Sequence, residues 1–489
     1  MTEPLWTGAA IAEATGGRPV GAMPPSIGGV SIDTRSLEAG DVFFAIRGDR
    51  VDGHQFLRPA IAAGAALLVV SKEKLPALGA LPVPLLVVDD VLKAMERLAI
   101  AARARAQARI VAVTGSVGKT TTKEALRHAL GAEGSVHASA ASFNNHWGVP
   151  LSLARLPADT RFAVFEIGMN HPDEIRPLVK LVRPHVAIVT LIAPAHLGHF
   201  ENLRAITRAK GEIFEGLTAG GTAVINADDP ESAALSQIAR AAGVTRITTF
   251  GEAPGADYRL TGYAPLDEGS HATALIDGTA VEFQLPSGGR HLVQNTLAVL
   301  GASDLLGADV SLAAAALSSW RAGTGRGARH SLAIGSGQLT LIDESYNANP
   351  ASMRAALGLL GSTRPGTGGR RIALLGDMLE LGSFSRDLHE ALAEPVMEAG
   401  CDLALLAGAE MRTLYLALRE RGVEAQWFAT AGELEESLSG HLRPGDVVMA
   451  KASKSIGFSR LVESLVARLG SPAATSDASP RPNSMAQDA

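Results

Sequence analysis

At 489 residues the chain is too long for one core, and with 46% apolar but only 4% aromatic residues it must build its interiors from Ala, Val, Leu and Ile. A formal net charge of −6 argues against a nucleic-acid binder, and the single cysteine, Cys401, excludes an intrachain disulfide and fits a reducing compartment. No basic segment followed by an apolar core opens the sequence and no apolar run reaches about 18 residues, so the expectation is a soluble, cytoplasmic protein with no signal peptide and no membrane span.

A prior of about 150 residues per domain suggests three units. The first spans residues 1–102. A short helix is expected over Thr7 to Thr15, then strands at Val30 to Ile32, Asp41 to Ile46, Ala66 to Val70 and Pro84 to Val88. Helices are expected from Asp52 to Ala63 and from Val91 to about Arg105. Strands alternating with helices indicate a small α/β domain. Arg35 follows a strand end beside Asp33 and Thr34, where it is either an ordinary solvated side chain or a grip on a substrate phosphate.

The second unit, residues 103–326, opens on the most informative stretch. The apolar run Ile110 to Val113 breaks into Thr114-Gly115-Ser116-Val117-Gly118-Lys119-Thr120-Thr121, and a good helix former follows from Lys123 to Leu130. Strand, glycine loop, Lys-Thr and helix together make a polyphosphate cradle. Glycines turn backbone N–H groups toward the anion, the helix N-terminus adds positive dipole, Lys119 reaches the terminal phosphates and Thr120 ligates magnesium. The longer Walker A pattern would place its first glycine at Val113; here it comes at Gly115, as in the shorter T-G-x-x-G-K-T-T form.

Further strands are expected at Arg161 to Ile167, His185 to Leu191 and Thr222 to Asn226. Glu166, near the C-terminal end of its strand, is placed near the magnesium by the adjacent phosphate loop, the alternative being a solvated turn carboxylate. His196, on residue type alone, reads as a structural loop residue. Ala209-Lys210-Gly211-Glu212-Ile213 reads as the opening of an amphipathic helix, where a lysine ordinarily makes a salt bridge. Asn226-Ala227-Asp228-Asp229 has the outline of a guanine-reading N-K-x-D motif, but Ala227 replaces the lysine, so GTP specificity is not supported. Residues 250–290 suggest hairpins, Asn295 to Leu306 a helix, and Gly323 to Gly327, with Arg326, a glycine-rich hinge.

The third unit, residues 327–470, has strands expected at Leu339 to Ile342, Ile372 to Leu375, Leu403 to Leu406 and Val447 to Ala450. This is a second open, mostly parallel sheet, without the G-x-G-x-x-G of a dinucleotide site. Its polar stretches follow strand ends: Asp343 to Pro350, Gly376 to Gly382 and Lys451 to Ser455. Residues 471–489, rich in Ser, Pro and Ala, are expected to be a disordered tail.

Taken in order, Asp33-Thr34-Arg35, the Thr114 to Thr121 loop, Ser142-Phe143-Asn144-Asn145, Glu166 to Asn170, Ala195-His196-Leu197, Ala209 to Glu212, Tyr346 to Pro350 and Gly376 to Gly382 resemble the Mur ligases of peptidoglycan synthesis. The resemblance covers nearly the whole chain except the tail. It implies a UDP-substrate-binding first domain, a central ATP-binding domain and a Rossmann-like third domain. The implied activity is ATP-dependent, ADP-forming addition of D-alanyl-D-alanine to UDP-N-acetylmuramoyl-tripeptide, by a monomer serving cell-wall biogenesis and through it cell shape and division.

The resemblance also implies site roles. Gly115 to Thr121, Asn295, Arg326 and Asp343 would hold ATP, with Asn295 near adenine, Arg326 at the phosphates and Asp343 at the ribose. Thr120, Glu166, His196 and Lys210 would ligate two magnesium ions, Lys210 as a carbamate formed from CO2. Lys119, Lys210 and His196 would be catalytic. Thr34 and Arg35 would hold the UDP end, Asn144 and Asn145 would line its path, and Tyr346, Asn347 and Asn349 would meet the dipeptide. Two departures stand out: the usual His-Asn-x-x-Asn is His291-Leu292-Val293-Gln294-Asn295, and the usual Lys-Gly-Ser is Lys451-Ala452-Ser453.

Three rivals differ in kind. The diaminopimelate- or lysine-adding ligases carry an Asp-Asn-Pro-Arg that this chain lacks, and folylpolyglutamate synthases lack a counterpart to the first hundred residues. A nucleotide-dependent switch or scaffold would bind ATP and form no bond.

Overall fold

The computed structural model describes residues 4–48, 51–140, 143–195, 197–266 and 269–470; the expected disordered tail lies outside them. The chain forms three sheets flanked by helices. The first has five strands in the spatial order Arg18–Val20, Leu85–Val88, Leu67–Ser71, Val42–Phe44 and Val30–Ser31, parallel except for the first pair. Its helix Val91–Arg105 is capped by the Asp90 carboxylate, which accepts from the Lys93 N–H, and buries Ala94, Met95, Leu98 and Ala102 along one face.

The central sheet has nine strands. Seven, from Val136–Ala138 at one edge to Tyr258–Leu266, pair in parallel; Gly269–Ile276 and Thr279–Leu285 add antiparallel hairpins. Residues along the strand Arg109–Thr114 alternate between two cores. Val111 and Val113 pack on one face with Leu126 and Leu297, while Ile110 and Ala112 pack on the other with Val149 and Ile206. Burial on both faces is why this segment reads as a continuous apolar run. The strand Arg109–Thr114 lies between Phe162–Glu166 and Val186–Val189. Three neighbouring strands therefore open their carboxyl ends into one crevice, at the point where the chain changes sides.

The first two units share an interior. Leu151 and Ala154, from the helix Gly148–Ala154, pack among Trp6, Ile11, Leu86 and Leu98 of the first unit. The Trp6 indole N–H donates to the Ala154 carbonyl at 2.8 Å, the Arg105 guanidinium lies 3.4 Å over the Trp6 ring, and Arg155 Nε donates to the Val30 carbonyl at 2.6 Å.

The third sheet runs Ala328–Ile334, Gly337–Asp343, Val447–Lys451, Arg371–Gly376, Leu403–Ala407 and Ala425–Phe428, parallel beyond its first hairpin. It has its own two cores, one on each face. Ala328–Ile334 and Ala425–Phe428 are half-exposed edge strands absent from the sequence-based expectation, since neither carries the continuous apolar run of a strand covered on both faces.

One expected element is corrected. Ala209 to Ile213 does not open a helix. Asn202 caps the helix Leu203–Gly211, its side chain accepting from the Ala205 N–H, so Lys210 sits in the last turn, and a 3-10 turn, Glu212–Gly216, follows. The stronger start signal is the Asn-Leu pair seven residues upstream.

Because Trp6 seals the joint between two units, Trp6→Ala is expected to cost about 3–5 kcal/mol of stability, read as a shift in the denaturation midpoint. A change within about 0.5 kcal/mol would mean that the two units do not fold on a common core.

Candidate active site

The strand Arg109–Thr114 ends in a loop whose glycines have no alternative. Gly118 has φ 86°, and a Cβ there would lie 2.8 Å from the Asn295 amide nitrogen; at Gly115, φ 150°, a Cβ would come within 2.0 Å of Thr190 Oγ1. Gly118 is also the N-cap of the helix Lys119–Gly131 and offers no side chain, so the first-turn N–H groups face the crevice. Ser116 Oγ donates to the Ala193 carbonyl at 2.9 Å and accepts from its N–H at 3.0 Å, tying the loop to the segment after the neighbouring strand. Lys119 Nζ donates to the Gly115 carbonyl at 2.8 Å.

Beside this loop Glu166 is buried, and both its oxygens are engaged. Thr120 Oγ1 donates to Oε2 at 2.7 Å and Asn144 Nδ2 to Oε1 at 2.8 Å. Asn144 is held in turn: its carbonyl accepts from the Gly168 N–H at 2.8 Å, and a Cβ on Gly168 would strike its amide at 2.9 Å. Asn145 instead shapes its own turn, its Oδ1 accepting from the N–H groups of Trp147 and Gly148.

Lys210 is 1% exposed. Burial first, and the Lys119 charge second, hold its pKa well below the ordinary lysine value and favour the neutral amine. Burial also lowers Lys119, against the pull of Glu166 and with a further push from Arg326. His196 lies outside the described residues.

The glycine-rich hinge and the third unit supply the opposite wall. Arg326, in the Gly323 to Gly327 segment, stacks 3.9 Å from the centre of the Tyr346 ring. Asn349 caps the helix Pro350–Ser362 in a reciprocal pair with Ser352, and its Nδ2 donates across to the Ser116 carbonyl at 3.3 Å. Gly198 N–H donates to the Glu380 carbonyl at 2.9 Å, a second bridge between the units. Lys451 is buried and donates to the Asn347 carbonyl at 2.8 Å.

Groups from these segments line a cavity of about 350 Å³; Gly115, Asn145 and Lys210 are not among its lining. Of the residues singled out in the sequence, Ser116 to Thr121, Asn144, Glu166, Asn295, Arg326, Tyr346, Asn347 and Asn349 line it. Asp343 does not. It is fully buried, with Oδ2 accepting from the Gly325 N–H at 2.8 Å and Oδ1 from Ser345, so in this arrangement it secures the hinge. Thr34 and Arg35 lie apart in the first unit, the exposed Arg35 guanidinium closing in a fork on Asp33 at 2.6 Å. Thr190, Asn226 and Lys451 also line the cavity and were not among the expected site residues. Their signal was positional, since each stands at the carboxyl end of a parallel strand.

No group of three or more His, Cys, Asp and Glu gathers among the described residues. The Thr120 hydroxyl and Glu166 carboxylate nevertheless form an oxygen pair beside a phosphate cradle. That suits magnesium, which takes one or two protein oxygens and fills its other positions with water and phosphate.

Three family models match in chain order: "Mur ligase family, catalytic domain" over residues 26–103, "Mur ligase middle domain" over 113–303 and "Mur ligase, glutamate ligase domain" over 329–454. The UDP-N-acetylmuramoyl-tripeptide–D-alanyl-D-alanine ligase of Synechocystis is 35% identical over 90% of this chain and 92% of its own length. The crystal structure of MurF from Acinetobacter baumannii superposes with a TM-score of 0.81 at 30% identity, covering 94% of this chain and 99% of that one. MurF ligase from Thermotoga maritima in complex with ADP gives 0.73 at 25% identity, over 89% and 96%.

Gly118→Ala tests the cradle without touching a charge. The left-handed backbone costs an alanine about 1–2 kcal/mol and the added Cβ collides with Asn295, so nucleoside triphosphate affinity by calorimetry is expected to fall about tenfold or more. Unchanged affinity would show that the loop does not hold the phosphates.

Proposed function

The chain belongs to the Mur ligase family, and from that membership we infer that it joins D-alanyl-D-alanine to UDP-N-acetylmuramoyl-tripeptide at the expense of ATP, releasing ADP and phosphate. The observation that carries this reading is the single cavity in which a phosphate loop, a buried acid–amide pair and an Arg–Tyr–Asn wall from the hinge and the third unit face one another. That cavity is completed by one chain, which favours a monomer. The UDP-linked substrate and the absence, among the described residues, of any helix long and apolar enough to cross a membrane favour the cytoplasm.

A carboxylate is a poor electrophile with a poor leaving group, so the tripeptide's terminal carboxylate must first be activated. Its oxygen attacks the γ-phosphorus of ATP, the bond to the β-phosphate oxygen breaks, and an acyl phosphate and ADP result. The dipeptide's neutral amine then attacks the acyl carbon, loses a proton, and phosphate leaves. Lys119 and the first-turn N–H groups stabilise charge on the transferring phosphoryl group. Thr120 and Glu166, with His196 and a carbamylated Lys210, would hold magnesium, which when bound neutralises phosphate charge. The neutral amine favoured at Lys210 is the form that adds CO2.

Arg326 is suited to the ATP phosphates, and Tyr346, Asn347 and Asn349 to the dipeptide side. Asn295, pressed against Gly118, is suited to the nucleotide's base side. A ribose contact from Asp343 would require it to release Gly325 or Ser345. We assign the UDP end to the first unit, residues 1–102, with Thr34 and Arg35 as its contacts, ATP to 103–326, and closure over it to 327–470 about the Gly323 to Gly327 segment.

Phosphate release by the purified protein is expected to require both UDP-N-acetylmuramoyl-tripeptide and D-alanyl-D-alanine. Release with ATP alone, at the same rate, would favour a nucleotide switch. Lys210→Met is expected to lower kcat by about 10²-fold or more, and wild-type activity in carbonate-free buffer should rise on adding bicarbonate. The same variant has a stability signature. A lysine whose folded pKa lies below its unfolded value binds more protons when unfolded, so stability falls as pH drops from about 10.5 toward the folded pKa. In carbonate-free buffer the advantage of Lys210→Met over wild type should therefore grow as pH is lowered from about 10 to 7, measured by urea denaturation. A pH-independent difference would place Lys210 in contact with water.

A further inference from the structure

The phosphate-loop helix carries a second lysine that the mechanism does not use. Lys123 stands one turn beyond Lys119 and is fully buried. Its ammonium donates to the Ser139 carbonyl at 2.7 Å and pairs with Glu124 at 2.7 Å. Burying a long cationic side chain is strongly unfavourable unless its hydrogen bonds are satisfied, and a leucine or methionine would fill the same space without that cost. What the charge accomplishes is visible in the group that it grips.

Ser139 is itself buried and stands just beyond the edge strand Val136–Ala138, ahead of the segment that delivers Asn144. Its N–H donates to the Val164 carbonyl at 3.1 Å, and its Oγ accepts from the Glu166 N–H at 3.2 Å. One residue therefore meets Lys123 through its carbonyl and Glu166 through its hydroxyl. Glu166 closes the ring, receiving Thr120 from the helix that bears Lys123 and Asn144 from the segment beyond Ser139. The helix thus grips this region twice, at the Thr120 hydroxyl on Glu166 and at the Lys123 ammonium on Ser139.

We propose that Lys123 is a positioning residue for the ligase reaction. By fixing Ser139 against the phosphate-loop helix, it sets the placement of the Glu166 carboxylate and the Asn144 amide relative to the phosphates. The inference rests on the ligase reading for its activity assay, but its contacts are independent of that reading.

Lys123→Met keeps the side-chain length and apolar stem and removes the donors. Its kcat is expected to fall about 10- to 100-fold, the scale on which a misplacement of about 1 Å acts, while ATP Kd by calorimetry stays within about twofold. Because Lys123 would act through the pair it positions, its effect on kcat should shrink several-fold in an Asn144→Ala background. Amide hydrogen exchange should quicken at Phe143–Asn145 and Glu166–Gly168, but not along the helix Lys119–Gly131, a readout that needs no turnover. Ser139→Ala, which removes only the hydroxyl facing Glu166, should reproduce the kcat loss in smaller measure, and it carries the test if Lys123→Met does not fold. Additive effects of Lys123→Met and Asn144→Ala, a rise in ATP Kd with kcat intact, or exchange that quickens throughout the helix would each overturn the proposal. If Ser139→Ala stands in, unchanged kcat and unchanged exchange at Glu166–Gly168 would do so. Inactive wild type with altered local exchange in the variants would overturn the ligase reading and leave the positioning contact standing.

Discussion

A carboxylate removed from water needs hydrogen-bond donors on its oxygens, and the site is organised around that requirement at Glu166. Thr120 and Asn144 each meet one of its oxygens, so the phosphate-loop helix, the strand that ends in Glu166 and the segment carrying Asn144 are held in one arrangement. Moving any of the three leaves a buried carboxylate oxygen without its donor, which is more costly than losing a surface contact. The phosphate cradle and its acid are therefore placed together.

Electrostatics elsewhere in the site run the opposite way. Lys210 and Lys451 are buried and Lys119 half-buried, and in all three desolvation chiefly disfavours the ammonium form. Lys119 and Lys451 line the cavity and the Lys119 charge is felt at Lys210, so the positive potential there is one that anions relieve. Triphosphate and a peptide carboxylate are the ligands that such a region discriminates for, and partial compensation comes from Glu166 at Lys119 and from Glu344 and Asp343 at Lys451.

The units are joined unequally. A shared core around Trp6, Leu98 and Leu151 fuses the first to the second, whereas the third keeps its cores to itself and meets the second through polar bridges such as Asn349 to Ser116 and Gly198 to Glu380. Polar bridges exchange with water at small net cost, while a hydrophobic joint does not. The proposed closure would therefore fall at the second boundary, at the glycine-rich segment whose Gly325 is secured by Asp343.

Much of this was legible in the residues alone. Continuous apolar runs such as Ile110 to Val113 and Ala223 to Ile225 mark doubly buried strands, and Gly115 to Thr121 between a strand and a helix has a phosphate-binding meaning independent of context, because glycine torsions and helix polarity are local properties. Edge strands escaped, since half-exposed segments carry a weak pattern, and the helix bearing Lys210 was misplaced because a strong cap lay upstream at Asn202. Which of the polar residues after the strand ends face the cavity was decided only in three dimensions. Asn349 and Arg326 reach it, Asp343 turns inward to the hinge, and Arg35 closes on Asp33. Asn349 meets its partner Ser116 across 233 residues of sequence, and no local pattern encodes that distance.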